Sequence, residues 1–301
     1  MIERIRRSWS DFWWRPANRI DLAMARVVIA STALWIVLSR FDLPSVITFP
    51  HVWWMRVLPE RKLRFFIGAG LGTERILWLL LHLALVAVIA GVFLRVSSFI
   101  AGLLLYHFGA LETVLWTGNP YLRGYTIPAL ALLIIAMSAS AGRFDRKRPD
   151  PESWENRWPV ALIQFFFAGI YFWAAYAKLY TSGVRWIRAE NMRLYIAGID
   201  QWTGGPHPPL NQYLLSHPAV LSAMAVAGLL FDASFALALF SRRARRILIP
   251  IAVFFHIANG IVFHIWFQNA WLLLVYADWN SIAASLRRRG IASNVIQPSR
   301  Q

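Results

Sequence analysis

The sequence predicts an all-α integral membrane protein, a polytopic bundle of transmembrane helices. Hydrophobic residues make up 58% of the 301 residues and charged residues only 15%, whereas a soluble domain is about a quarter charged. The apolar residues also form runs close to the roughly twenty residues that cross a bilayer. Because a span must satisfy its own backbone hydrogen bonds, these runs are predicted to be helices.

About eight apolar segments have roughly the length of a membrane span. They cover residues 21–39, 75–94, 97–116, 122–141, 159–180, 219–240, 246–266 and 268–283. Gln268 and Asn269 interrupt the last segment, so it is predicted either to span or to form a re-entrant or interfacial piece. The turn residues in "GGPHPPL" and "SHPAV" are expected to stop helices before the sixth segment.

The stretches outside the spans are basic and aromatic. Residues 1–20 are predicted to lie along the membrane interface, and the apolar run after them lacks a small-residue cleavage site, so it is expected to remain as an anchor. Residues 185–199 are amphipathic and predict a second interfacial helix. One transmembrane domain over residues 21–285 and a basic tail over residues 286–301 follow from this pattern.

Charge and cysteine content exclude several functional classes. The net charge is +16, but the arginines stand between apolar segments, which indicates membrane lipid headgroups as partners and not nucleic acid. Their placement also predicts a cytoplasmic N-terminus. The sequence contains no cysteine, which excludes disulfides, thiolate metal sites and cysteine nucleophiles.

One lysine ends the aromatic fifth segment, in "YFWAAYAKLYTSGVRW". On a helix, Gln164, Ala168, Tyr171, Ala175 and Lys178 recur at steps of four and three residues and form one stripe of mostly small or polar side chains. Ionisable groups inside spans are costly and are candidate functional sites. Two interpretations stay open, a partly desolvated amine that takes a proton, or a side chain that extends to the interface.

The seventh segment carries polar residues in "FFHIANGIVFHIWFQN". His256, Asn259 and Phe263 share one helix face, and His264 follows. Tyr171 and Phe263 are candidates to flank a flat aromatic ligand. A metal site is not expected, because the spacing of the two histidines is a weak signal and a further convergent ligand is missing.

Other ionisable groups inside spans need a partner or a proton. Glu112 and Asp232 are predicted to serve as charge partners or interhelical hydrogen-bonding groups, and Gln164 is a polar partner on the fifth segment. His82 and His107 stand alone in apolar helices, so each is predicted to be a hydrogen-bonded core histidine.

The turn "WTGNPYLRGY" separates the third and fourth segments. It contains Asn119 and Tyr121, two candidate ligand-binding residues. With a cytoplasmic N-terminus, this turn, Lys178 and His264 all fall in the outer half of the membrane. We therefore expect them to converge there.

Four stretches of this chain resemble a known family. They are "RVSSFIAGLLLYHFGALETVLWTGNPYLRGY", "IYFWAAYAKLYTSGVRW", "GLLFDASFALALFSRRAR" and "FHIANGIVFHIWFQNAWLLLVYADW". In this order and spacing they resemble the membrane domain of vitamin K-dependent gamma-glutamyl carboxylase and its bacterial relatives, the HTTM (horizontally transferred transmembrane) domain proteins. The resemblance covers residues 20–285 and implies a helical bundle in a bacterial cytoplasmic membrane.

The resemblance also implies a site. In the carboxylase, a lysine in the matching motif deprotonates reduced vitamin K, whose reaction with oxygen drives removal of a glutamate proton before carbon dioxide adds. Lys178 matches that lysine, His256 and Asn259 match an "FHxxN" motif, and Asp232 matches an acid of the sixth span. Asn119 stands where the carboxylase has a histidine, and an amide cannot relay a proton as imidazole does.

The function implied is binding of a reduced quinone, similar to vitamin K or menaquinone, or of another isoprenoid lipid, with Lys178 and His256 as catalytic residues. Such a protein would perform a carboxylase-like or epoxidase-like modification of a peptide or protein substrate. The soluble substrate-binding region of the carboxylase has no counterpart in residues 286–301, so the resemblance concerns the quinone site more than glutamate carboxylation. Two alternatives stay open, a non-catalytic accessory for peptide maturation or export, and a small transporter with Asp232 and Lys178 as a pathway pair.

Overall fold

The computed structural model describes residues 2–40, 71–117, 124–138, 152–203 and 208–288. Within these ranges the chain is helical, with no strand and a single isolated bridge between Ala17 and Ser153. The chain divides into two compact units. Unit 1 comprises Met1–Phe12 and Gln164–Leu273, and unit 2 comprises Trp13–Ile163 and Leu274–Gln301.

The helices are numbered in chain order. They are α1 (Ile2–Trp14), α2 (Arg19–Arg40), α3 (Leu71–Ala90), α4 (Leu94–Thr117), α5 (Thr126–Met137), α6 (Trp154–Ser182), α7 (Ala189–Thr203), α8 (Pro209–Ser216), α9 (Pro218–Ser234), α10 (Leu237–Phe240), α11 (Arg242–Phe263) and α12 (Trp279–Arg288). Two 3₁₀ segments, Gly183–Ile187 and Gln268–Tyr276, precede α7 and α12.

The predicted number of spans was wrong. In the described ranges, four helices are long and apolar enough to cross a membrane: Arg19–Ser39, Gly72–Ala90, Trp154–Ile187 and Arg242–Phe263. They correspond to the first, second, fifth and seventh predicted segments. A fifth span results only if α8 and α9, which are bent by 99° at their junction, cross as one broken piece.

The fourth and eighth predicted spans are short or interrupted in the structure. α5 contains 12 residues, which rise about 18 Å, well short of a hydrocarbon core of about 30 Å. α4 comprises 24 residues, of which Leu94–Gly109 form a described apolar stretch, so the prediction that this segment spans the membrane stays a prediction. The eighth segment forms the 3₁₀ segment Gln268–Tyr276 followed by the start of α12, and neither is a candidate span.

The predicted helix stop at "SHPAV" is confirmed, because the bend between α8 and α9 lies there. Pro218 begins α9, and a residue before proline is driven out of the helical region. His217 accordingly adopts φ −122° and ψ 77° between the two helices. Its Nδ1–H donates to the Tyr213 carbonyl at 2.7 Å, which holds the ring against the end of α8.

Both segments predicted to lie at the membrane interface contain a helix, α1 in the first and most of α7 in the second. In α1, Arg6 and Arg7 are exposed while Phe12 is buried. In α7, Met192 and Ile196 are buried in an apolar cluster of unit 1, where Leu214 and Val262 also lie. The apolar side of α7 thus packs against protein, and the placement of this segment at the membrane interface stays a prediction.

Helices α2 to α5 form the packed part of unit 2, in which α3 contacts α2 and α4, and α4 contacts α5. Gly109 of α4 allows the closest approach to α5, since a Cβ added there would lie 2.4 Å from the Tyr125 Cβ. Gly102 meets Leu133 in the same way. These two glycines are seven residues apart and lie on the same face of α4. They let side chains of α5 pack directly against the α4 backbone.

We predict that Gly109→Ala destabilises the protein while Gly169→Ala does not. The first substitution overpacks the contact with Tyr125 and should cost about 1–3 kcal/mol. Gly169 of α6 has nothing within 4 Å of an added Cβ, so alanine there should add up to about 1 kcal/mol of helix propensity. Thermal unfolding of both variants in the same detergent tests this, and equal midpoints would contradict the packing described.

Candidate functional site

A salt bridge inside unit 1 is the centre of the candidate site. Lys178 Nζ donates to Asp232 Oδ2 at 2.5 Å, joining α6 to α9. The Asp232 side chain is 3% exposed and the Lys178 side chain 21% exposed, so the carboxylate is shielded while part of the lysine side chain stays exposed. The Nζ also lies 5.4 Å from the centre of the Trp186 ring, within cation–π range.

The predicted stripe on the fifth segment is the buried face of α6. Gln164, Ala168, Tyr171 and Ala175 are each at most 5% exposed, whereas Phe172 and Trp173, between them in sequence, are exposed. The stripe carries Lys178 at its end and aims it at the neighbouring helix. A small, polar face permits this approach, because bulky side chains would separate the two backbones.

A second polar pair lies two helical turns earlier on the same stripe. The Tyr171 hydroxyl and His256 Nε2 form a hydrogen bond of 2.6 Å, which joins α6 to α11. With the hydroxyl as donor, the ring hydrogen of a neutral His256 sits on Nδ1. That atom is buried and has no hydrogen-bond partner among the described residues. It is therefore an unsatisfied donor within the part of the chain that the structure describes.

Aromatic rings connect the two pairs. Tyr171 packs edge-on against Phe231 at 5.3 Å between centroids, and Phe231 directly precedes Asp232. Phe231 also packs on Phe255 at 4.8 Å, and the His256 ring meets Phe267 at 5.2 Å. The polar groups of the site are thus embedded in apolar aromatic surroundings, where hydrogen bonds and charges interact more strongly than in water.

Three residues predicted to bind a ligand have other contacts. Asn259 donates from Nδ2 to the Phe255 carbonyl of its own helix at 2.7 Å. Phe263 packs on Tyr195 at 6.3 Å and against the apolar cluster around α7. His264 is exposed and ends α11 with φ 51° and ψ 22°, in the left-handed region. Among the predicted site residues that the structure describes, direct hydrogen bonds join Lys178 to Asp232 and Tyr171 to His256.

The other predicted residues are less informative. Asn119 and Tyr121 lie outside the described residues, so the predicted convergence of their turn with Lys178 and His264 stays a prediction. Glu112 belongs to α4, but its side chain is outside the description. Gln164 is buried on the stripe, and its role as a polar partner stays a prediction.

Unit 2 holds a buried ionisable pair of which only one member was anticipated. His107 Nε2 of α4 and Glu74 Oε2 of α3 are 3.0 Å apart, with side chains 2% and 8% exposed. The prediction that His107 is a hydrogen-bonded core histidine is confirmed. His82 is hydrogen-bonded, since its Nδ1–H donates to the Trp78 carbonyl at 2.8 Å, but it is only half-buried. The missed signal for Glu74 was an acid in the first turn of an apolar helix.

Most of the chain matches the model of one protein family. The HTTM domain model matches residues 15–279, which include every helix of the site. The chain belongs to the HTTM domain family. That family is linked to membrane vitamin K-dependent carboxylase-like proteins, and the resemblance predicted from the four sequence stretches is thereby confirmed. No match was found among curated proteins or among solved structures.

The HTTM family assignment, together with the apolar helices, makes this an integral membrane protein. Its site offers an amine with a carboxylate, and a phenol with an imidazole, which are groups suited to proton transfer. The part of the chain that the structure describes contains no group of three or more histidine, cysteine, aspartate or glutamate side chains able to hold a metal. Proton chemistry and hydrogen bonding are what this arrangement can supply.

We predict that breaking the salt bridge from either side has unequal costs for this HTTM protein. Lys178→Met leaves a nearly inaccessible carboxylate unpaired and should cost about 3 kcal/mol or more. Asp232→Asn should cost less, because the more exposed lysine can extend its amine toward polar surroundings. Thermal unfolding of both variants measures the difference.

The control is the double variant Lys178→Met with Asp232→Leu, which removes both charges and keeps similar volumes. It should recover most of the lost stability, since a buried pair is often replaceable by apolar residues. A double variant as unstable as the sum of the two single variants would contradict a direct interaction between these side chains.

For His264 we predict a backbone role that a substitution series can separate from ligand binding. His264→Gly should leave stability unchanged or raise it by up to about 1 kcal/mol, because glycine adopts the left-handed conformation without strain. His264→Val should lower stability, since a β-branched residue is strained there. Unfolding midpoints of the two variants in one detergent provide the test, and a destabilised glycine variant would exclude the backbone role.

Proposed function

We propose that this HTTM protein binds a reduced quinone, similar to menaquinone or vitamin K, or a related isoprenoid aromatic lipid, and uses Lys178 as the base in a carboxylase-like or epoxidase-like modification. The observation that carries the proposal is the Lys178 amine, held at 2.5 Å by a shielded carboxylate while a fifth of its own side chain, 21%, stays exposed. Such an amine faces both a proton acceptor inside the protein and a ligand outside it.

The salt bridge gives the amine a route to its neutral form. A charged carboxylate in apolar surroundings is costly, so transfer of one proton from Lys178 to Asp232 is less unfavourable there than in water. The pair keeps zero net charge in both states, and only the position of the proton changes. The neutral amine of Lys178 can then take a proton from an acidic hydroxyl of a ligand.

The residues around the pair fit a flat aromatic ligand with ring oxygens. His256 Nδ1 is buried and without a described partner, so it can donate to such an oxygen. Tyr171 fixes the other ring nitrogen of His256 at 2.6 Å, which sets the direction of that donor. Phe231 and Phe267, which contact Tyr171 and His256 respectively, supply aromatic surfaces for stacking.

The reduced quinone would be oxidised by oxygen to an epoxide, and this oxidation would supply the energy for the modification. One oxygen atom would enter the ring and the other would leave as water. Lys178 and His256 would be the catalytic residues, and Asp232 the group that holds the Lys178 proton. A peptide or protein would be the partner that is modified. The site would lie in a bacterial cytoplasmic membrane with the N-terminus in the cytoplasm, which is supported by the arginines that flank the first span.

We predict that Lys178→Arg abolishes quinone turnover without loss of stability. Arginine keeps the positive charge that pairs with Asp232 but cannot give up its proton in a protein. Purified wild type and variant are incubated with reduced menaquinone, oxygen and bicarbonate, and quinone epoxide is measured by mass spectrometry. Lys178→Ala, which removes both the charge and the base, serves as the second variant and should lose turnover and stability together.

Epoxide formation by Lys178→Arg at the wild-type rate would exclude Lys178 as the base. His256→Gln is the matched test of the donor, since glutamine can hydrogen-bond but cannot relay a proton. It should retain quinone binding and lower the rate.

One observation favours a second candidate, a non-catalytic accessory for peptide maturation or export. The salt bridge satisfies Lys178 within the protein, which a purely structural lysine also requires. If neither wild type nor variants form epoxide, with all of them folded and loaded with lipid, the accessory function replaces the catalytic one. In that case Lys178→Met with Asp232→Leu should leave biological function intact.

A further inference from the structure

Aromatic contacts attach the N-terminal helix α1 to α6 and to the end of α10 in unit 1. Trp9 of α1 stacks on Phe240 with centroids 5.8 Å apart and planes at 30°, and it meets Phe165 of α6 edge-on at 6.4 Å. Phe12 packs on Phe240 at 5.5 Å. Phe240 ends α10, and Ser241 then begins the turn into α11.

This attachment brings two basic segments to one end of unit 1. Arg6 lies three residues before Trp9, on the same side of α1, and is exposed together with Arg7. Arg242, Arg243 and Arg246 begin α11 directly after the contact with Phe240, and all three are exposed. The resulting surface, here called the arginine end, consists of these five side chains.

Among the described residues, no acidic side chain forms a salt bridge with the arginines on the α11 side of the arginine end. Arg245 is used internally, donating to the Ala238 carbonyl at 3.0 Å and the Leu239 carbonyl at 3.4 Å. No acidic residue occurs between Asp232 and Asp278 in the sequence. On α1, Glu3 and Asp11 are exposed and offset part of the charge of that helix.

We propose that the arginine end binds the headgroups of anionic phospholipids. α11 is itself a candidate span that starts at Arg242, so the arginines stand where its apolar part meets the headgroup layer. Exposed Ile247 and Phe254 continue α11 on the apolar side. Trp9 and Phe240 are half-exposed rings at the same end, as expected at a membrane interface, where guanidinium groups pair with phosphate.

The test measures lipid binding by the whole protein in a neutral detergent. Native mass spectrometry follows the addition of phosphatidylglycerol or, for comparison, phosphatidylcholine to wild type and to Arg242→Gln with Arg243→Gln. The double variant should bind phosphatidylglycerol at least about tenfold more weakly than wild type, since each basic residue near a membrane surface raises the affinity for anionic lipid severalfold. Phosphatidylcholine binding should not change. Arg6→Gln with Arg7→Gln should weaken phosphatidylglycerol binding by a smaller factor.

The matched control is Arg185→Gln with Arg188→Gln, two exposed arginines of unit 1 that follow α6. This control should bind phosphatidylglycerol as wild type does, and Arg242→Lys with Arg243→Lys should retain binding through its charge. Equal loss in the control and the test variant would overturn the proposal, because the effect would then be one of total charge. Displacement of the lipid by millimolar inorganic phosphate would also overturn it, in favour of a site for free phosphate.

Discussion

The salt bridge between Lys178 and Asp232 is the contact on which the arrangement of unit 1 depends. Lipid offers no partner to an ionised side chain, so each of these groups requires the other. Their pairing fixes α6 and α9 in one register, and the small residues of the α6 stripe allow the helices to approach closely enough for it. The Tyr171–His256 hydrogen bond then adds α11 to the same face.

The same constraint appears in unit 2 with a different result. Glu74 and His107 pair at 3.0 Å and are both nearly inaccessible, so this pair is closed on all sides. In unit 1, the Lys178 side chain is partly exposed, and His256 Nδ1 has no hydrogen-bond partner among the described residues. A closed pair contributes packing and specificity, whereas a pair that stays open on one side can also act on a ligand.

Under the proposed function, stability and chemistry are coupled at one contact. The carboxylate that makes Lys178 tolerable in an apolar helix is also the group that can take its proton, and burial of Asp232 favours that transfer. The aromatic rings around Tyr171 and His256 keep water out and strengthen both interactions. A purely structural salt bridge and a proton-transferring one share this geometry. They differ in whether a ligand contacts the exposed part of the Lys178 side chain.

The sequence by itself determined the properties that depend on local composition: a membrane protein of helices, the family, the buried stripe ending at Lys178, and the helix stop at Pro218. Each follows from hydropathy, helical period or a backbone restriction that acts within one segment. Tertiary structure alone decided the number of helices of span length, the Glu74–His107 pair and the left-handed end of α11 at His264. An ion pair depends on two segments. A helix end depends on the residues that pack beyond it, as Trp266 packs on Gly260. Neither feature can therefore be predicted from the sequence of one segment.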